Sequence, residues 1–166
     1  MTILWDGLTL WELARQELTP SRLKAWTAFL AAHKALAAIL SRELESACGL
    51  PLTWFDVLAQ LHEAPTQRFT MTQLANAILF SKSGLTRLID RMEEAGLVQR
   101  LARPGDRRSL HIALTDIGAK QLERAVPIHL EAVKRHFAAY IRDSETEAVE
   151  SALERIAIAA RPESRL

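Results

Sequence analysis

The chain has 166 residues, 49% of them hydrophobic and 25% charged, a composition suited to an ordinary globular protein with one or two modest cores and not to a disordered one. Its 21 basic and 20 acidic residues leave a net charge of +1, so the average charge names no partner and only local distribution can. One cysteine excludes an internal disulfide, the opening MTILWDGLTLWELARQ lacks the long apolar run of a signal peptide, and nothing approaches the ~20 consecutive apolar residues of a bilayer span; the expected setting is cytoplasmic, without membrane contact.

The predicted elements are mostly helical. Thr19-Pro20 places a capping residue before a proline at the first helical position, and Leu23, Trp26, Leu30, His33, Leu36, Leu40 and Leu44 follow at helical spacing, predicting a long helix that ends near Gly49. Thr53 is the expected cap of a shorter helix with Trp54, Phe55, Leu58 and Leu61 inward, stopping before Pro65. Thr70-x-x-Gln73 has the form of a capping box and opens a third helix containing Leu74, Ala75 and Ile78. Ser81 can cap a fourth, over 82–95, whose Leu85, Leu88, Ile89 and Met92 share a face and which Gly96 ends.

From Leu97 the period shortens. LVQRLA and LHIAL favour strands, the second with Leu110, Ile112 and Leu114 on one face and His111 and Ala113 on the other, and Arg103-Pro104-Gly105-Asp106 suits a type II turn between them. Thr115 caps a long helical region that Pro127 should interrupt or kink. Ser144-x-x-Glu147 reads as a further capping box, starting a last helix with Ala148, Val149, Ala152, Leu153, Ile156 and Ala160 on one side.

Two helices joined by a short turn and followed by a β-hairpin form the order of a winged helix-turn-helix. The expected fold is therefore mainly α with a small β-hairpin wing. Between Ser81 and His111 there are seven basic residues against four acidic ones, so this region is positive in a chain that is otherwise slightly negative. On the second helix of the pair, Ser83, Arg87, Asp90 and Glu94 lie opposite the apolar face, with Lys82, Thr86 and Arg91 flanking them. The start of this helix is short-polar or basic, and its acids come late. Such an order suits a recognition helix, whose first residues reach base edges and whose first-turn N–H groups attract phosphate. A solvated face with Arg87–Asp90 and Arg91–Glu94 pairs would look similar taken alone, as a charged hairpin tip would for LARPGDRRSLHI. Their adjacency favours nucleic acid. The candidate DNA-binding residues are Ser81, Lys82, Ser83, Thr86, Arg87, Arg91, Arg103, Asp106, Arg107 and Arg108.

SKSGLTRLIDRMEEAGLVQR followed by RPGDRRSLHIALTDIG resembles the multiple antibiotic resistance regulator (MarR) family of bacterial transcription factors, and LTWFDVLAQLHEAP and the long flanking helices agree in order and length. Pro104-Gly105 ahead of the aspartate and Met92 in place of a frequent leucine are departures. The resemblance implies a winged domain over 53–114 and dimerisation helices over 1–52 and 115–166 that interlock in a homodimer on a pseudo-palindromic operator. It implies that Arg107 and Arg108 in the wing (102–109) enter the minor groove while Asp106 orients them, and that the default role is repression relieved by a small aromatic or anionic effector. Dimerisation has independent support: the aliphatic stripe of the last helix, with Trp5, Leu8, Leu10, Trp11 and Leu13, exceeds what the winged domain can cover, although folding back on the same chain would serve as well.

Candidate effector residues are Trp26, His33, Trp54, Asp56, His62 and His129. Several have plainer readings: Trp26 and His33, seven residues apart on an apolar helix face, suit a core, and Asp56 near a helix start can simply offset the dipole. Cys48 at a helix C-terminus is expected to be an inert, half-buried thiol. The five histidines are too scattered for a metal site, no cofactor motif is present, and the sequence has no phosphate-binding glycine loop, HExxH or nucleophile elbow, so no enzyme is expected. The alternative is a winged-helix protein–protein interaction module without sequence-specific DNA binding, which leaves Arg107 and Arg108 without a partner unless the partner is acidic.

Overall fold

The computed structural model describes residues 18–64, 66, 68–78, 82–103 and 106–160, with the side chains of 82, 83, 103 and 106–109 outside that description. In chain order it contains α1 (Pro20–Cys48), α2 (Leu52–Glu63), β1 (Arg68–Thr70), α3 (Met71–Ala77), α4 (Lys82–Glu94), β2 (Val98–Arg103), β3 (Asp106–Leu114), α5 (Asp116–His136), a 3-10 turn (Ala138–Tyr140) and α6 (Asp143–Ala159). It divides into two compact units, one ending at Ile39 and the other running Leu40–Leu166.

Proline and glycine set the first boundaries. α1 starts at Pro20 and ends where Gly49 takes a φ of +68°, a left-handed conformation that glycine adopts without a Cβ penalty. By length and composition alone α1 is long and apolar enough to cross a membrane, although its apolar residues do not run consecutively. Lys34 near its middle breaks the apolar run. α2 begins two residues earlier than expected: Pro51 holds the cap position with φ near −59°, and its carbonyl accepts from the N–H groups of Trp54 and Phe55. Thr53 therefore lies inside the helix and caps nothing.

The second unit is organised around one apolar core. Leu44 and Leu50 meet Val57, Leu58 and Leu61 of α2, Leu74 of α3, Leu85, Ile89 and Met92 of α4, and Ile112 of β3, all at most 1% exposed. No polar or charged residue among those described is buried. Trp54 is half-buried and packs against this core from its edge.

The sheet has three strands in the order β1-β3-β2, all antiparallel. β1 is absent from the sequence-based expectation: three residues are too few to show a period, but Phe69 pairs with Ile112 and so anchors the strand to the core. Directly after it, the Thr70 hydroxyl accepts from the Gln73 N–H while the Gln73 side chain accepts from the Thr70 N–H, the capping box expected from sequence. The burial pattern of β3 departs from simple alternation. Ile112 and Ala113 are both buried, on opposite faces, whereas Leu110, paired with Ala102 towards the wing, is 44% exposed.

The C-terminal helices also differ from expectation. Pro127 lies within the uninterrupted α5. The loss of one N–H donor there is tolerated within a 21-residue helix that packs along α2. α6 begins at Asp143, where the Glu145 carboxylate accepts from the Arg142 backbone N–H, so Glu145 closes the first turn and the expected Ser144–Glu147 box is not formed.

Candidate nucleic-acid interface

α3 and α4 form the helix pair, and β2 with β3 form a hairpin directly behind α4. Burial of Leu85, Ile89 and Met92 fixes the rotation of α4 about its own axis. Thr86, Arg87 and Arg91 are consequently exposed on the opposite side. The first turn of α4 contains no acidic residue, so its positive dipole end is uncompensated by its own sequence. Lys82 and Ser83 occupy that first turn, while Ser81 lies outside the described residues.

In the hairpin, Arg103 pairs with Asp106 at the open end of the ladder, after a register irregularity between Ala102 and Arg103. The expected type II turn falls on residues 104 and 105, which lie outside the described residues. Arg107 and Arg108 follow on β3. Their side chains and that of Asp106 are outside the description, so the expected orientation of the arginines by Asp106 lies there too.

The acidic end of α4 has a partner that the sequence reading does not assign. The Arg100 guanidinium on β2 bonds Asp90 Oδ1 at 2.6 Å and also bonds Glu93, and the Arg100 backbone N–H donates to Glu93 Oε1 at 3.0 Å. Burial works against the Arg100 charge, but the hydrogen bonds to Asp90 and Glu93 outweigh it and hold the guanidinium more firmly protonated than usual. Asp90 is therefore committed to Arg100 and not to Arg87, and among the described residues Arg87 and Arg91 carry no ion pair. A sequence signal exists: Asp90 and Glu93 are three residues apart on one face, and a strand arginine follows within ten residues.

Within the unit Leu40–Leu166 the candidate effector residues His62, His129 and Asp56 lie at two separate clefts. His62 and His129 line a cleft of about 280 Å³ between α2 and α5, with Phe55, Glu63, Leu122 and Leu130. The His129 ring lies 4.4 Å from that of Phe55, its buried Nδ1 has no hydrogen-bond partner, and desolvation pushes its pKa down. Asp56 faces a different cleft, of about 250 Å³, with Gln60 and Ile78, where desolvation raises its carboxyl although the residue is exposed at the surface. Trp26 and His33 belong to the unit that ends at Ile39; both are exposed, each stacked on Phe29, so neither is the core residue their spacing suggests. Cys48 is half-buried, as expected, and donates a hydrogen bond from Sγ to the Leu44 carbonyl.

A helix pair with an acid-free start to its second helix and a hairpin packed behind it has the architecture of a winged helix-turn-helix. A sequence profile of the MarR family matches residues 49–109. The HTH-type transcriptional regulator PecS of Dickeya dadantii (strain 3937) is 42% identical over 79 residues, which cover 46% of this chain and 47% of PecS, so the chain spans about half the length of that relative. AbsC, a MarR family transcriptional regulator from Streptomyces coelicolor, superposes with a TM-score of 0.80 at 33% identity, covering 87% of this chain and 97% of AbsC. Sco3205 from the same organism, solved in complex with DNA, gives 0.81 at 28% identity, covering 89% and 92%. The chain belongs to the MarR family of transcriptional regulators.

Proposed function

We propose that this protein is a cytoplasmic, homodimeric repressor that binds a pseudo-palindromic operator through α4 and the β2–β3 wing and leaves it when a small aromatic or anionic effector binds. The observation that carries the DNA reading is the placement of exposed Thr86, Arg87 and Arg91 on the face of α4 that the core turns outward, beside a hairpin bearing Arg103, Arg107 and Arg108. In this reading Ser81, Lys82, Ser83, Thr86 and Arg87 approach base edges and phosphates in the major groove, Arg91 reaches the backbone, and the wing arginines enter the neighbouring minor groove with Asp106 orienting them. The DNA complex of Sco3205 supports it by analogy.

Dimerisation through segments 1–52 and 115–166 is supported by apolar side chains that are exposed among the described residues. Ile156 is 56% and Ile158 60% exposed on α6, and Tyr140 in the preceding turn is 81% exposed. For the effector, the His62–His129 cleft offers apolar walls, an aromatic edge and an imidazole nitrogen lacking a partner, a combination suited to a flat, polar-tipped molecule.

The decisive experiment is a gel-shift titration with the protein's own upstream intergenic DNA. The expected result is one dimer on half-sites about one helical turn apart, with log K falling by about 0.9 per log unit of salt for each phosphate contacted. Failure to bind any duplex at low salt would remove the DNA reading.

A further inference from the structure

We propose that Arg100 is a positioning residue for DNA recognition: by clamping Asp90 and Glu93 of α4 to strand β2 it makes the recognition helix and the wing one rigid reading head. The inference rests on the DNA-binding reading above and adds a role for three residues outside the expected contact surface.

The geometry is that of a clamp and not of an incidental surface pair. One guanidinium spans two carboxylates a helical turn apart, through NH2 to Asp90 and NH1 to Glu93. The second oxygen of Glu93 accepts from the Arg100 backbone N–H, so the same carboxylate grips both side chain and main chain. Among the described residues β2 is an edge strand, bonded only to β3, and this amide belongs to its open side; Glu93 thus supplies the partner a further strand would have supplied. The Arg100 side chain is 23% exposed, against 49% and 37% for Asp90 and Glu93, so the cation is the shielded centre of the cluster.

Two consequences follow for binding. A reading head with two contact elements binds tightly only if engagement of one presents the other at the correct distance and angle, since any hinge between them lowers the effective concentration of the second contact. α4 and β2 are joined by the short turn at Gly96 and meet there through the core residues Met92, Leu97 and Val98; the Arg100 clamp fastens them again farther along the strand, towards the wing. The clamp also answers the charge order of α4, because the two carboxylates would otherwise lie as uncompensated anions on a helix approaching phosphates.

Positioning and charge compensation make opposite predictions for one variant. D90N/E93Q removes two negative charges from the helix and leaves Arg100 as an extra cation near DNA, so electrostatics alone would strengthen binding to every duplex. R100K keeps the charge but cannot span both carboxylates or hold the fork geometry. Fluorescence anisotropy on a duplex from the upstream intergenic DNA and on an unrelated duplex of equal length gives the ratio of specific to non-specific affinity, and thermal unfolding of each variant reports the fold. The expected result is a fall of about ten-fold in that ratio for both D90N/E93Q and R100K, the coupling of a contacting network, with melting temperatures within about 4 °C of the parent. Glu94→Gln, one residue beyond the clamp, should leave the ratio unchanged. A ratio unchanged or raised in D90N/E93Q overturns the proposal, as does loss of cooperative unfolding in both variants, which would make the cluster a support of the fold alone. If the unaltered protein itself shows no preference between the two duplexes, the DNA-regulator reading fails first.

Discussion

A Cβ on Gly118 would lie 2.0 Å from the carbonyl oxygen of Leu97. α5 thus enters the domain by pressing its first turn directly onto the backbone that leads into β2, and only a residue without a side chain permits that approach. The same carbonyl accepts from the Thr115 N–H at 3.2 Å, so it cannot retreat without breaking the joint. Gly118→Ala is expected to destabilise by about 3 kcal/mol or more, at the upper end of overpacking costs. Urea unfolding measures it; a loss below about 1 kcal/mol would show that the joint yields.

Thr115 holds the other side of this joint. Its hydroxyl donates to the Gly96 carbonyl at 2.6 Å and accepts from the Gly118 N–H at 3.0 Å, so one side chain caps α5 and secures the left-handed glycine that ends the turn after α4. Thr115→Val keeps the shape and removes both bonds, and should cost about 1–3 kcal/mol. Thr115→Ser should recover most of the loss in the same unfolding assay.

These joints explain what is legible in the sequence. The Leu-Thr-x-x-Gly pattern, the Thr70–Gln73 box and the apolar spacing of α4 are local, and each element forms where its own residues require. What stays hidden depends on distant partners. β1 exists because Phe69 meets Ile112, 43 residues away. Arg100 looks like another wing cation until β2 places it beside Asp90 and Glu93. Helix starts at Leu52 and Asp143 escape the sequence reading because a proline carbonyl and a glutamate at the third position replace the Thr53 and Ser144 hydroxyls, which look like the better caps. The apolar period that includes Trp26 and His33 is genuine and suggests a core, yet a period cannot say whether its face meets the same chain.

His129 and Asp56 give pH dependences of opposite sign. Desolvation puts the folded pKa of His129 below the ordinary 6.5, so its neutral form is favoured by the fold. Its contribution is complete above pH 6.5 and is lost as pH falls from there through the folded value. His129→Gln should therefore flatten the decline of thermal stability below pH 6.5. For Asp56 the folded pKa is raised above 3.8, so ionisation opposes folding at neutral pH and that penalty disappears as pH falls through the folded value. Asp56→Asn should raise the melting temperature at pH 7, with the gain shrinking in acid; a gain that persists at pH 3 would point to a cause other than charge.

Wing arginines should act differently from residues of the clamp. Arg107→Ala with Arg108→Ala is expected to weaken operator binding by a few kcal/mol and to lower the salt slope by about 0.9 for each phosphate no longer neutralised. Melting temperature should stay near that of the parent, since these positions stand at the far end of β3, away from the core residue Ile112. Unchanged affinity over a full salt titration would reduce the wing to ordinary surface.

The exposed face of α6 yields the last prediction. Leu153 and Ile156 are three residues apart on one side of the helix, 37% and 56% exposed, and Ile158 adds to the apolar surface near its end. A stable homodimer would cover such surface with its own copy, since a two-fold axis brings the same patch from both chains together. Leu153→Glu with Ile156→Glu would then place four carboxylates in one desolvated interface, at a cost far above the packing energy of the side chains removed. The expected outcome is a monomer by light scattering with helical content retained, because neither side chain contributes to the buried core of a single chain. Operator binding should fall steeply, as a monomer holds only one half-site. A double variant that remains dimeric and binds as tightly as the parent would place the dimer contact elsewhere.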